Sequence, residues 1–138
     1  MTSVPKQASA FRKGGHIILK DHVCKIVQMK THKTGKHGHA KINFTGLDIF
    51  TNNKYEELQS ATHSMQEPEV QKEEYDVIDI VDEFTSLTNL EGDSLELPLP
   101  KNEIGENLKN GFNEEKIIIA IVTSAMGKTI ITQFKEEK

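Results

Sequence analysis

Several stretches of this chain, Ala40–Phe44 and Leu95–Leu99 most plainly, carry apolar side chains at every second position. That spacing is the signature of half-buried strands, because successive side chains on a strand point to opposite faces. His16–Lys20 (HIILK) and Val23–Met29 (VCKIVQM) are short runs rich in strand formers, and Lys41–Phe50 (KINFTGLDIF) alternates with Ile42 and Phe44 on one side. Tyr75–Asp82 (YDVIDIVD) alternates clearly, Phe84–Leu90 is a further strand candidate, and Ser94–Leu99 (SLELPL) is an edge strand because it contains Pro98. Lys116–Thr123 predicts a buried strand, and the stretch from Met126 to Phe134 predicts the last one. Only Asn102–Phe112 has helical spacing, with Ile104, Leu108 and Phe112 four apart and Gly111 placed to end the helix. A parallel sheet needs a crossover helix for each pair of strands, and these are missing. The chain is therefore predicted to be all-β and antiparallel.

Size narrows this further. With 138 residues, of which 36% are hydrophobic, the apolar material suits thin cores, so two tandem small β-barrels fit better than one large core. Residues 1–13 are polar and predict a mobile tail. The segment Thr62–Glu74 is polar, contains Pro68 and has no clear period, and it marks the boundary between a first domain, 14–71, and a second, 72–138. Between the early strands Lys20-Asp21-His22 predicts a tight turn and Asn52-Asn53 another, while Lys54–Leu58 predicts at most one helical turn. Residues 30–41 (KTHKTGKHGHAK) predict a long polar loop closing a hairpin.

No run of 18 apolar residues exists, and the first fifteen residues lack an apolar stretch, so neither a membrane span nor a secretory signal is predicted. A single cysteine, Cys24, excludes an internal disulfide framework and a multi-cysteine zinc site. A soluble protein of the cytoplasm is the expectation. The net charge of −4 conceals an asymmetry: residues 1–41 hold nine Lys/Arg and one acid, Asp21, whereas residues 42–138 hold eight Lys/Arg and twenty acids. One end of the molecule thus suits a polyanion, while the remainder repels it.

Several motifs dissolve on inspection. Gly127-Lys128-Thr129 ends like a phosphate-binding loop, but the pattern needs a glycine at Val122, and no helix follows. It is predicted to be a β-turn. Gly35-Lys36 fails the same test at Lys30 and His37. His37 and His39, with His32 and His63, resemble metal ligands in spacing only; nearby lysines oppose a dication and no carboxylate lies between Asp21 and Asp48. No resident metal or cofactor is expected. Cys24 sits in an apolar strand and is expected to be a buried hydrophobe rather than a nucleophile. Asp76, Asp79, Asp82 and Glu83 belong to a solvated face, and no catalytic constellation emerges, so no enzyme is predicted.

What remains is the lysine-rich segment. Lys30, Lys33, Lys36 and Lys41 punctuate it, and Lys36 stands between Gly35 and, beyond His37, Gly38. Glycines add no bulk and tolerate positive φ, which favours a lysine projected by itself into a narrow site. Four phosphate contacts on single-stranded RNA would give a salt slope of only about −3. RNA readers usually also stack aromatics on bases, and this segment has none. It is better suited as a probe inside a preformed RNA surface than as a general RNA binder.

The octet Thr34-Gly35-Lys36-His37-Gly38-His39-Ala40-Lys41 resembles that of the eukaryotic translation initiation factor 5A family, the hypusine-containing proteins. Cys24-Lys25-Ile26-Val27 before it, and Gly46–Thr51, Lys54-Tyr55-Glu56, Thr62–Met65 and Ser124-Ala125-Met126 after it, follow the family's order over about residues 11–126. The sequence departs from the family pattern at Asp21-His22-Val23, where Arg-Pro is usual before the Cys-Lys-Ile strand, and at Gly127-Lys128-Thr129, where an acidic stretch is usual.

The resemblance implies an SH3-like N-terminal barrel and a C-terminal OB-fold barrel. It implies that Lys36 is converted to hypusine: deoxyhypusine synthase transfers an aminobutyl group from spermidine, and deoxyhypusine hydroxylase hydroxylates it. It further implies binding to the ribosome near the E site, with rRNA and peptidyl-tRNA as partners, relief of stalls such as consecutive prolines, and help in termination. Lys30, Lys33, Thr34, Gly35, His37, Gly38, His39 and Lys41 would then be the loop that meets RNA. Lysine suits such a modification because it is a nucleophile once deprotonated, which arginine effectively never is. The competing expectations are a generic RNA-binding module acting through the OB-like domain and, below it, a small lysine-dependent enzyme.

Overall fold

A computed structural model describes residues 3–34 and 39–137. The chain divides into two compact units, Met1–Val70 and Gln71–Lys138.

In the first unit the strands are β1 (Ser3–Gln7), β2 (His16–Leu19), β3 (His22–Thr34), β4 (His39–Asp48), β5 (Lys54–Ser60) and β6 (Ser64–Pro68). Strands β2-β3-β4-β5 form one antiparallel sheet in sequence order, and β1 pairs with β6. This is the SH3-like half expected from the resemblance. Lys20 and Asp21, at φ 48° and 68°, make the two-residue turn between β2 and β3, the left-handed pair that matches the twist of a tight hairpin. The core gathers Phe11, Ile17, Leu19, Ile26 and Phe44, all almost fully buried, with Phe11 edge-on to Phe44 at 6.0 Å.

Three expectations for this unit are corrected. Of the expected mobile tail 1–13, the described residues are tied down: Ser3–Gln7 pair with Pro68–Ser64, and Ala8 and Phe11 are buried in the core. The alternation there is too short and too polar to register as a strand. Its partner, β6, lies inside the polar segment taken as a boundary, where Met65 is buried. Lys54–Leu58 is strand, not helix, because the backbone of β4 offers an edge that local helix propensity cannot outbid. Of the expected loop 30–41, residues 30–34 and 39–41 are strand, since the ladder between β3 and β4 continues through Lys30↔Asn43, His32↔Lys41 and Lys33↔Ala40 to Thr34↔His39.

The second unit contains β7 (Gln71–Val81), β8 (Phe84–Thr88), β9 (Ser94–Pro98), helix α1 (Glu103–Asn113), β10 (Ile117–Ala125) and β11 (Lys128–Glu137). The sheet order is β11-β10-β7-β8-β9, and β11 curls round close to β9. Five strands closing on themselves, with a helix between the third and fourth, make the OB-fold barrel. As expected, β9 ends at Pro98 on the sheet's edge. Met126 and Gly127, at φ 49° and 81°, form the turn expected at Gly-Lys-Thr. Leu87, Leu108, Ile118, Ala120, Val122 and Ile131 fill the core beneath α1.

The helix does not end at Gly111. Asn102 caps its start by accepting from the Ile104 N–H at 3.0 Å. At its end Glu115 takes the left-handed conformation at φ 61°, the Glu115 N–H bonds to the Phe112 carbonyl, and the Lys116 N–H bonds to the Gly111 carbonyl. Gly111 serves packing instead: a Cβ there would collide with the Ile118 side chain.

Candidate functional site

The lysine-rich segment is carried by the hairpin of β3 and β4. Its root is tied down where Cys24 pairs with Asp48. Asp48 is buried and its carboxylate accepts from the Phe50 N–H at 2.7 Å, the Thr51 N–H at 3.2 Å and His22 Nδ1 at 2.9 Å. Burial alone would raise its pKa, but the Phe50, His22 and Thr51 bonds outweigh that and hold it below the usual aspartate value. The His22 ring in turn stacks on Tyr55 of β5 with centroids 4.0 Å apart. Gly46 sits two rungs further on, opposite Ile26; a Cβ there would lie 2.7 Å from that of Cys24, so only glycine lets the two strands approach so closely. Cys24 is fully buried, and desolvation, with the Asp48 charge second, pushes its thiol up to about 11. It is the structural residue expected, not a nucleophile.

Above the root, Val27 is an extra residue between the rungs Ile26↔Gly46 and Gln28↔Thr45. This bulge reverses which residues of β3 face inward. From there on Met29 and Thr31 share the face of Phe44 and Ile42, while Lys30 and His32 share the opposite face with Asn43 and Lys41. The ladder then runs without a shift from Gln28 to Thr34, a rise on the order of 20 Å. β2 reaches only the first part of β3, from His22 to Lys25, so the later part of β3 is an edge. β5 supports β4 as far as Lys41↔Ser60, and the Ala61 N–H bonds to the Ala40 carbonyl at 2.9 Å. Beyond that, the rung Thr34↔His39 has only its own two strands.

The expected site residues fall into two groups. Lys30, Lys33 and Lys41 are exposed, with Lys30 and Lys41 on one face together with His32 and Lys33 on the other. None of these lysines forms an ion pair with a described residue, whereas Lys6, Lys116 and Lys135 all do. Thr34 and His39 make the last described rung. Gly35, Lys36, His37 and Gly38 lie outside the described residues, so the modification expected at Lys36 and the loop contacts expected of its neighbours are untouched by the geometry. Sequence reasoning missed the root, because no local signal links His22 to Asp48 across 26 residues. Among the described residues no cluster of His, Cys, Asp and Glu could hold a metal ion, and no helix is long and apolar enough to cross a membrane. Chemically, the hairpin holds unpaired cations along an exposed ribbon, with no carboxylate between Asp21 and Asp48 to neutralise them.

Comparison with known proteins agrees with this architecture. Residues 1–63 match the family described as translation initiation factor 5A-like, N-terminal, and residues 69–135 match that described as eukaryotic elongation factor 5A hypusine, DNA-binding OB fold. Eukaryotic translation initiation factor 5A-1 of Saccharomyces cerevisiae is 45% identical over 133 residues, 96% of this chain and 85% of the relative. The chain belongs to the translation initiation factor 5A family. It is a translation factor, and its relatives are not enzymes. The initiation factor 5A of Dictyostelium discoideum is also 45% identical, over 95% of this chain and 83% of the relative. A solved initiation factor 5A family protein from Naegleria fowleri superposes with a TM-score of 0.91 at 42% identity, covering 98% of this chain and 99% of the other. The factor from Methanococcus jannaschii, at 22% identity and a TM-score of 0.76 over 97% and 96%, shares the fold.

Proposed function

We propose that this translation factor works on the ribosome through the β3–β4 hairpin, with Lys36 as the residue rebuilt into hypusine. Deoxyhypusine synthase would transfer the aminobutyl group of spermidine to it, and deoxyhypusine hydroxylase would complete the side chain. The mature factor would sit near the E site in the cytoplasm, reach toward peptidyl-tRNA, promote peptide-bond formation at stalls such as consecutive prolines, and assist termination. The observation that carries this reading is the octet Thr34–Lys41 in a chain of this family, set at the end of a regular ladder of unpaired lysines. Modification lengthens the arm and adds a second cation, so it can reach phosphate or sugar oxygens beyond a plain lysine. Such an arm acts by positioning a flexible tRNA end, leaving the chemistry to the ribosome. The hairpin's root supports this: a ribbon anchored by Asp48, His22 and Tyr55 delivers its far end with less loss of freedom than a loop.

Lys36→Arg tests the proposal. Arginine keeps the charge but cannot be modified. In a translation assay on a polyproline template the variant should lose nearly all stimulation while melting like the wild type. Full retained activity would reject the role of Lys36. The alternative, a general RNA-binding module acting through the OB unit, meets seven Lys/Arg against fifteen acids in residues 71–138.

A further inference from the structure

In an OB-fold the outer face of the second and third strands is where oligonucleotides are usually taken. Here that face belongs to β8 and β9, with the end of β7 beside them. Val81 pairs with Phe84, and Phe84 with Pro98, so one rung lays three apolar side chains in a row across the three strands. All three are exposed, Val81 by 58% and Phe84 by 49%. None of them serves the core, which takes Leu87, Leu97 and Thr85 from the opposite face. The next rung on the outer face is Asp79↔Ser86↔Glu96, and the turn at the other side is Asp82-Glu83. None of these four acids forms an ion pair with a described residue. Residues 73–100 contain nine acids and no Lys or Arg at all.

Those observations exclude the usual occupant. A phosphate backbone meets repulsion from Asp79, Asp82, Glu83 and Glu96, and one phenylalanine is a poor stacking platform for several bases. The same row suits a ligand of opposite sign. An apolar side chain can cover Val81 and Pro98, an arginine can lie over the Phe84 ring, and further cations can meet Asp79, Asp82, Glu83 and Glu96. We propose that the outer face of β7–β9 docks a basic protein segment carrying apolar side chains. This surface lies in the second unit and does not depend on Lys36 or its modification.

The test uses the full chain, isotopically labelled, titrated with three probes of equal length. These are a synthetic peptide alternating Arg and Leu, the same peptide with Ser in place of Leu, and a single-stranded oligouridylate. The Arg/Leu peptide should bind and shift the amides of Asp79–Ser86 and Glu96-Leu97. The Arg/Ser peptide should bind about tenfold more weakly. Val81→Ser with Phe84→Ser should weaken the Arg/Leu peptide by about tenfold or more, because a few central apolar contacts dominate such interfaces. Both side chains are exposed, so an unchanged melting temperature is expected. Asp79→Lys with Glu96→Lys, which leaves the row intact, should weaken binding by about tenfold or more and flatten its dependence on salt. Oligouridylate binding more tightly on this face would overturn the proposal in favour of nucleic acid. A doubling of mass with concentration, lost in the serine variant, would assign the face to a second copy of the chain and overturn it too. So would failure of the Arg/Leu peptide to bind, or binding indifferent to Val81 and Phe84.

Discussion

The molecule has two long hairpins, β3–β4 in the first unit and β10–β11 in the second, and they are built for different ends. Along β10 and β11 burial reaches close to the turn: Ile118, Ala120, Val122, Ala125 and Ile131 are buried, and the hairpin closes in the two-residue turn at Met126-Gly127. Along β3 and β4 burial stops at Ile42 and Phe44, yet the backbone ladder continues past them to Thr34↔His39 with exposed lysines on both faces. A ladder that outruns its core earns no stability from side-chain burial. In the proposed reading it serves as a carrier, and the sequence joining its two strands is Gly35-Lys36-His37-Gly38.

The sharpest way to probe that contrast is to cut into the hairpin where it is still buried. Phe44→Ala should cost about 4 kcal/mol, since a fully buried ring packed on Phe11 is lost. Lys33→Ala, a few residues up the same ladder, should change stability by less than about 0.5 kcal/mol. Urea titration of both variants decides it, and comparable losses would show that the far ladder is structural after all.

In the second unit the contrast predicts no tolerance beneath α1. Gly105 is buried, and a Cβ there would run into the Pro100 carbonyl. Gly105→Ala should therefore cost about 2–3 kcal/mol by overpacking, although alanine is the better helix former by about 1 kcal/mol. A stabilised variant would mean that Pro100 yields easily.

Asp48 adds a pH signature confined to the root of the first hairpin. Its folded pKa is depressed, so its contribution is complete above its ordinary value near 3.8 and is lost as pH falls through the lower folded value. Asp48→Asn should flatten the pH dependence of the first unit's stability below about pH 4 and cost about 1–2 kcal/mol at neutral pH. Denaturant midpoints across that range measure both.

The smallest expected effect has the opposite sign. Thr85 is fully buried and its hydroxyl is the only buried side-chain polar atom without a partner among the described residues. Thr85→Val keeps the shape and removes the orphan, and it should raise stability by about 1 kcal/mol, visible as a higher melting temperature.

What the sequence disclosed followed the physics of each element. Strands with one buried face announce themselves by alternation, so β2, the start of β3, β7 and β10 were legible. Tight turns at Lys20-Asp21 and Met126-Gly127 were legible from residue chemistry. The pair β1 and β6 was not, because its rungs join Ser3 with Pro68 and Gln7 with Ser64, and its side chains are largely polar. The far part of β3 was hidden for a related reason: its strand character lies in backbone pairing, while Lys30, His32 and Lys33 look like loop. Helix α1 was legible but its end was not, since Glu115 occupies the left-handed cap where glycine is usual. As for the site, the octet was plain in sequence, whereas its anchoring through His22, Asp48 and Tyr55 needed the fold.

The central claim is that a hairpin built to carry one lysine delivers a modified one. Intact-mass and peptide mass spectrometry on the factor purified from its native cells tests it most directly. The account predicts the added mass of an aminobutyl group plus one oxygen, located on Lys36 and absent from protein made in bacteria. Unmodified Lys36 in native material that is fully active on polyproline templates would contradict it.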